Sequence, residues 1–151
     1  MLGVDYSERS VEFARRIAAE KGFGGEGGRE VEFRWWDIMS GDEKEVLVGD
    51  GEEGRWDVVV DKGTFDAISL SEERDGRGRR VCEGYKDRIV PLVRRRGLFL
   101  VTSCNWTEEE LRGWFEGGEL EVLGKVEYRS FSFGGRKGQT VCSICFRRKG
   151  V

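Results

Sequence analysis

Four short polar stretches carry most of the residues able to do chemistry: Asp5-Tyr6, Asp37-Ile38, Asp61-Lys62-Gly63-Thr64-Phe65-Asp66 and Ser103-Cys104-Asn105-Trp106. Each follows an apolar run, as a loop follows a buried strand. A carboxylate just beyond a strand of a nucleotide-binding sheet can accept hydrogen bonds from both hydroxyls of a ribose. Asp5 suits that role, and it also suits a helix start, although Ser7 is the better capping residue there. Asp37 can accept from an adenine amine with Ile38 against the ring, or it can be a solvated strand end. In the third stretch Gly63 lets backbone come close to a ligand. Thr64 and Phe65 then either line a reaction mouth or form a tight strand-to-helix turn with Phe65 in the core.

What the chain lacks narrows the chemistry. It has no histidine among its 151 residues, so Ser-His-Asp and Cys-His catalysis and His-ligated zinc are excluded. Cys142 and Cys145 have the spacing of a metal or redox pair but fall in an alternating strand-like run. Residues three apart on a strand point to opposite faces, so plain packing is the better reading. No metal is expected. A net charge of -3 gives no reason to expect nucleic acid as a partner. No apolar run approaches the ~20 residues that span a bilayer. No membrane association is therefore expected, and a cytoplasmic location is.

The elements that must hold these residues read as follows. Leu2 to Asp5 is a strand, and a helix capped by Ser7 runs to about residue 21, with Val11, Ala14, Ile17 and Ala18 at helical spacing. Gly22 to Gly28 contains a literal dinucleotide fingerprint, but it stands between a helix and a strand. Phosphate binding needs strand, loop, helix in that order, so this stretch reads as a linker. Val31 to Ile38 is a second strand, and a short helix is expected around Glu43 to Val48. Trp56 to Asp61 is a third strand, apolar on both faces as in a parallel sheet. A helix is expected over Arg80 to Arg96, bent at Pro91 and stopped by Gly97. Leu98 to Thr102 is a fourth strand. Thr107 and Glu110 form a capping box for a helix through Phe115. Leu120 to Phe131 and Gln139 to Arg147 are two strands, joined by a turn over residues 134 to 138. Alternating strands and helices give an α/β, Rossmann-like fold, here a single domain with a C-terminal antiparallel hairpin. Its polar strand ends would share one rim.

Four motifs in order resemble one family: Gly3-Val4-Asp5-Tyr6-Ser7, Asp61 to Ile68, Thr102 to Thr107 and Phe131 to Arg136. It is the class I (seven-strand) S-adenosylmethionine-dependent protein-lysine methyltransferase acting on translation elongation factor 1-alpha. The resemblance implies S-adenosyl-L-methionine as cofactor and elongation factor 1-alpha as protein substrate. By the same likeness Asp5 and Tyr6 would hold the ribose side and Asp37 and Ile38 the adenine. Asp61 would stand beside the methionine end as the catalytic residue. Thr64, Phe65, Asn105 and Trp106 would meet the substrate.

The family pattern opens with a strand and a Gly-x-Gly-x-Gly loop that this sequence does not contain. The strands ending at Asp5 and Asp61 would then each lack one ladder partner. Met1 accordingly reads as an internal methionine of an N-terminally truncated sequence, with weak cofactor binding expected of this stretch alone. The alternative is an inactive fragment that binds a protein partner. The only proline is Pro91, which rules out the Asn/Asp-Pro-Pro-aromatic motif of amino-methylating nucleic-acid enzymes. Arg74, Arg77, Arg79 and Arg80, with Arg136 and Lys137, are either a solvated surface or a basic edge that docks the substrate.

Overall fold

The computed structural model describes residues 1–23, 31–128, 131–133, 136–138 and 141–150. The glycine-rich stretch after Phe23 lies outside them. Two compact units emerge, Met1–Val46 and Leu47–Val151.

In the first unit, strand β1 (Leu2–Asp5) leads into helix α1 (Glu8–Glu20), which returns the chain to strand β2 (Glu32–Trp35). The two strands are parallel, with Leu2 opposite Glu32 and Asp5 opposite Trp35. A parallel pair needs such a crossover. Ser7 caps α1 by accepting from the Ser10 amide, and Val11 and Ala18 are its buried contacts. The Arg15 guanidinium donates from α1 to the Phe33 carbonyl at 3.1 and 2.6 Å, fastening helix to strand. Gly3 is required by close approach: a Cβ there would stand 2.7 Å from the Phe33 ring. β2 is shorter than the expected 31 to 38. Trp36 still donates its amide to the Asp5 carbonyl, but the Asp37 carboxylate then captures the Met39 amide and turns the chain. The short helix expected around residue 43 is a 3-10 turn, Glu43–Glu45.

In the second unit the sheet order is β3 (Trp56–Lys62), β4 (Val93–Ser103), β8 (Cys142–Arg148), β5 (Leu120–Lys125). β3 and β4 are parallel, and β8 is antiparallel to both neighbours. Among the described residues β1 pairs with β2 alone and β3 with β4 alone, so each of the two strands expected to lack a ladder partner does lack one. Phe99, Val101 and Ser103 on β4 stand opposite Phe146, Ile144 and Cys142 on β8, and all six are buried. Onto this face pack α2 (Thr64–Leu70), α3 (Tyr85–Ile89) and α4 (Glu108–Phe115), through Phe65, Tyr85, Leu111 and Phe115. Thr107 and Glu110 do form the capping box of α4.

Three expectations need correction. The helix over Arg80 to Arg96 is a 3-10 turn at Val81–Gly84, then α3, then a second 3-10 turn at Val90–Leu92. Pro91 has no N–H for the helical ladder, so the α-helix stops before it and β4 begins at Val93. Arg94 to Arg96 are therefore the start of a strand. There the register slips, with Trp56 opposite Val93 but Val58 opposite Leu98. Arg96 takes a φ of 63°, and a Cβ at Gly97 would come within 2.8 Å of the Arg94 carbonyl. Gly97 thus serves a bulge, not a helix end. Second, α2 is a helix absent from the expected element order. Third, the strand expected to run to Phe131 ends at Lys125. Short strands β6 (Phe131–Phe133) and β7 (Arg136–Gly138) then pair antiparallel, so residues 136 to 138 are strand and not turn. No helix of the described residues is long and apolar enough to cross a membrane.

Candidate functional site

Asp5 ends β1 half-buried. Its Oδ1 accepts the Ser7 amide at 2.8 Å, which bends the chain into α1, where Ser7 takes the cap. Its other oxygen has no hydrogen-bond partner among the described residues. A fixed carboxylate with one free oxygen is what a vicinal diol needs as an acceptor. Tyr6 is exposed, and its carbonyl accepts from the indole of Trp35 at 2.7 Å. Asp37 differs from Asp5. Its Oδ1 accepts the Met39 amide at 2.9 Å and its Oδ2 the Ser40 hydroxyl at 2.6 Å, so both oxygens already serve the local turn. Ile38 is half-buried beside it.

In the second unit Asp61 stands at the end of β3 and is 3% exposed. Gly63, at a φ of 88°, swings the chain into α2. The Asp61 carboxylate closes that turn: Oδ1 accepts the Thr64 amide at 2.9 Å, and Oδ2 accepts the Phe65 amide at 3.1 Å and the Tyr85 hydroxyl at 2.7 Å. Thr64 itself is exposed. Phe65 takes the core alternative and does not line a mouth. It is 1% exposed, with ring centroids of Phe115, Tyr85, Trp114 and Trp106 at 4.8, 5.3, 5.5 and 6.2 Å.

Burial pushes the Asp61 carboxyl above the ordinary 3.8; the Tyr85 hydroxyl and the Thr64 and Phe65 amides pull it back, and the nearby Asp66 charge adds to the rise. Burial and the Asp61 charge together raise the Tyr85 phenol well above 10.0. For Asp61 the sign follows directly. The folded state holds the proton more tightly than the unfolded state. Its contribution to stability is thus fully present below the ordinary value and is lost as pH rises through the folded value. Tyr85→Phe removes a donor to the charged form and should raise that folded value further. We expect the variant to lose about 1–3 kcal/mol at neutral pH, as for a buried acceptor left short of a partner. The loss should shrink below the ordinary carboxylate range. Urea titrations at pH 7 and pH 3 check this. An equal loss at both would show that the hydroxyl does not serve the carboxylate.

From the last residue of β4, Ser103, through Cys104, Asn105 and Trp106 the chain forms a turn tied to α2. Asp66 accepts the Ser103 hydroxyl and, at 2.8 Å, the Cys104 amide. The Trp106 indole donates to the Ser69 hydroxyl at 2.9 Å. Cys104 and Asn105 are exposed and Trp106 is half-buried. Asp66, Ser69 and Tyr85 were not singled out as site residues in the sequence. The hint for Asp66 was its place five residues after Asp61, on the short helix whose first turn Asp61 closes.

In the basic stretch three arginines have partners nearby. The Arg74 guanidinium donates to the Gly78 carbonyl, Arg79 pairs with Asp75, and Arg80 donates to the Ser69 carbonyl. Three of the arginines thus hold the loop's own shape. The side chains of Arg136 and Lys137 lie outside the described residues.

The sequence matches known proteins along nearly all of its length. It is 38% identical over 146 residues to the Saccharomyces cerevisiae protein-lysine N-methyltransferase EFM4, covering 97% of this chain and 58% of that protein. It is 32% identical over 148 residues to the human EEF1A lysine methyltransferase 2, covering 98% of this chain and 56% of that one. Across its length the chain is homologous to this methyltransferase family. It spans little more than half the length of these relatives. No protein-family profile matches it. The fold is that of class I methyltransferases. A TehB-like S-adenosylmethionine-dependent methyltransferase from Corynebacterium glutamicum superposes with a TM-score of 0.60 at 15% identity, covering 98% of this chain and 67% of that one.

Proposed function

We propose that the protein transfers a methyl group from S-adenosyl-L-methionine to a lysine side chain of translation elongation factor 1-alpha, in the cytoplasm. The observation that carries this is the homology over 97% of the chain to a protein-lysine N-methyltransferase. Human and other vertebrate relatives that match as widely are named for elongation factor 1-alpha.

The residues fit the cofactor in part. Asp5 offers a free oxygen for the ribose, with Tyr6 exposed beside it. Asp37 can reach an adenine amine only through the lone pairs that the Met39 amide and Ser40 hydroxyl leave open, with Ile38 against the ring. When bound, the sulfonium supplies an already activated methyl group, so little acid–base work remains for the protein. The chain's own task is to align an amine and keep it neutral and dry. Asp61 serves that task by holding the β3–α2 turn and its exposed Thr64 in place. Its three hydrogen bonds suit a positioning residue better than a base. Asn105 and Trp106 stand on the amine side, the first as a hydrogen-bonding amide and the second as an apolar wall.

The test is direct. Full-length protein, S-adenosylmethionine with a labelled methyl group, and purified elongation factor 1-alpha are incubated together, and the product is mapped by mass spectrometry. Label on one lysine of the factor is expected. Transfer to no lysine, while the protein binds the cofactor, would overturn the substrate assignment. Absence of cofactor binding would overturn the reading as a whole.

A further inference from the structure

We propose that Asp66 is a positioning residue, fixing the Ser103–Trp106 turn so that Asn105 faces the methyl acceptor. The proposal rests on the reading of that turn as the amine side of the site.

Asp66 is 8% exposed, and among the described residues its carboxylate meets no arginine or lysine. A buried carboxylate without a cation is costly to keep, and an apolar residue would hold α2 against β4 without that cost. What an apolar residue lacks is two acceptor oxygens. Here they meet donors from consecutive residues, the Ser103 hydroxyl and the Cys104 amide.

The Ser103 hydroxyl has one hydrogen and two lone pairs. Its hydrogen goes to Asp66, which aims the lone pairs at the Asn105 amide, 3.1 Å away, and the Trp106 amide, 2.9 Å away. The circuit then closes on the helix it began from. The Trp106 indole donates to Ser69 Oγ, and Ser69 Oγ donates to the Asp66 carbonyl, each at 2.9 Å. Each backbone amide from Cys104 to Trp106 is thus bound to α2, directly or through Ser103. The Asn105 side-chain amide is left exposed and without a partner among the described residues. Loops at strand ends are ordinarily the mobile part of a fold. This one is held from its first residue to its last, with one polar group pointing outward.

Asp66→Asn keeps the shape but turns one oxygen into an NH2 that must face either the Cys104 N–H or the Ser103 O–H. Ser103→Ala removes the hydroxyl, and Ser103→Thr keeps it. In the full-length protein, Asp66→Asn and Ser103→Ala should lower kcat roughly 100-fold, the effect of misplacing a reacting group by about 1 Å. The KM for S-adenosylmethionine should stay within about twofold, because cofactor binding is not what they disturb. Ser103→Thr should restore most of kcat. Hydrogen exchange gives a readout free of activity. Amides 104 to 106 should exchange faster in the two damaging variants, with those of β4 and β8 unchanged. Unchanged exchange at 104 to 106 in Asp66→Asn overturns the proposal, as does faster exchange with kcat intact. If wild type transfers no methyl group, the functional reading fails, and exchange alone still decides whether Asp66 fixes the turn.

Discussion

Replacing Phe65 with alanine is expected to remove about 4 kcal/mol of folding free energy, within the range for deleting a fully buried aromatic ring. The ring is 1% exposed and stands at the centre of a cluster. Phe115 meets it edge-on at 4.8 Å and Trp114 at 5.5 Å, with Tyr85 tilted at 5.3 Å. Such pairs each add about 0.5–1.5 kcal/mol beyond the area they bury. The hole would open between α2, α3 and α4, which reach the sheet through these same rings and so cannot easily collapse to fill it. A domain of this size has roughly 5–15 kcal/mol in total, so the variant would be near its limit. Urea denaturation should show the midpoint falling by about 2 M at an unchanged slope. Phe65→Leu, which keeps much of the volume, should lose far less. A loss under about 1 kcal/mol for the alanine variant would mean that the ring does not pack as described.

The ease of reading this core from sequence depended on distance along the chain. Val58-Val59-Val60 and Leu98 to Val101 announce parallel strands because they are apolar on both faces, and the structure pairs them, but the burial expected of β3 does not follow: Val58 and Val60 are 49% and 63% exposed. Thr107 and Glu110 announce a helix start because the capping bonds span three residues. Tyr85 and Ile89 are buried on α3, and the same spacing continues to Leu92 and Val93. Those last two are buried as well, but as a 3-10 turn and a strand, and periodicity cannot tell these apart. Pro91 was the signal, and it outweighs the stripe. At α2 the helix has seven residues, too few for a pattern. Its cue is Gly63, whose positive φ allows the reversal. The site network was the least legible part. Tyr85 reaches Asp61 across 24 residues and Ser103 reaches Asp66 across 37, and neither separation leaves a mark on local spacing. The residues at strand ends were legible as a set. Whether a given carboxylate faces a ligand or its own turn was not, because Asp5, Asp37 and Asp61 look alike in sequence and differ only in how many donors reach them.

That difference sets the second prediction. Asp5→Ala should weaken S-adenosylmethionine binding by the full-length protein roughly 100-fold, as judged by calorimetric titration. A hydrogen bond from a neutral hydroxyl to a charged oxygen contributes about 1.5–3 kcal/mol, and about 1.4 kcal/mol is tenfold in affinity. Two such bonds to a diol, partly offset by water in the variant, give the expected size. The helix entry should survive, because Ser7 and not Asp5 is the cap. Asp37→Ala should have a smaller effect on affinity and a larger one on the local turn, whose Met39 amide and Ser40 hydroxyl lose their acceptor. A cofactor analogue without the ribose hydroxyls makes the test specific. Wild type should bind it about as weakly as Asp5→Ala binds the natural cofactor, and Asp5→Ala should no longer distinguish the two ligands. A direct contact produces that non-additivity. If Asp5→Ala lowered affinity yet still preferred the natural cofactor by the wild-type factor, the carboxylate would be acting through the fold of α1, and the ribose would have to be held elsewhere.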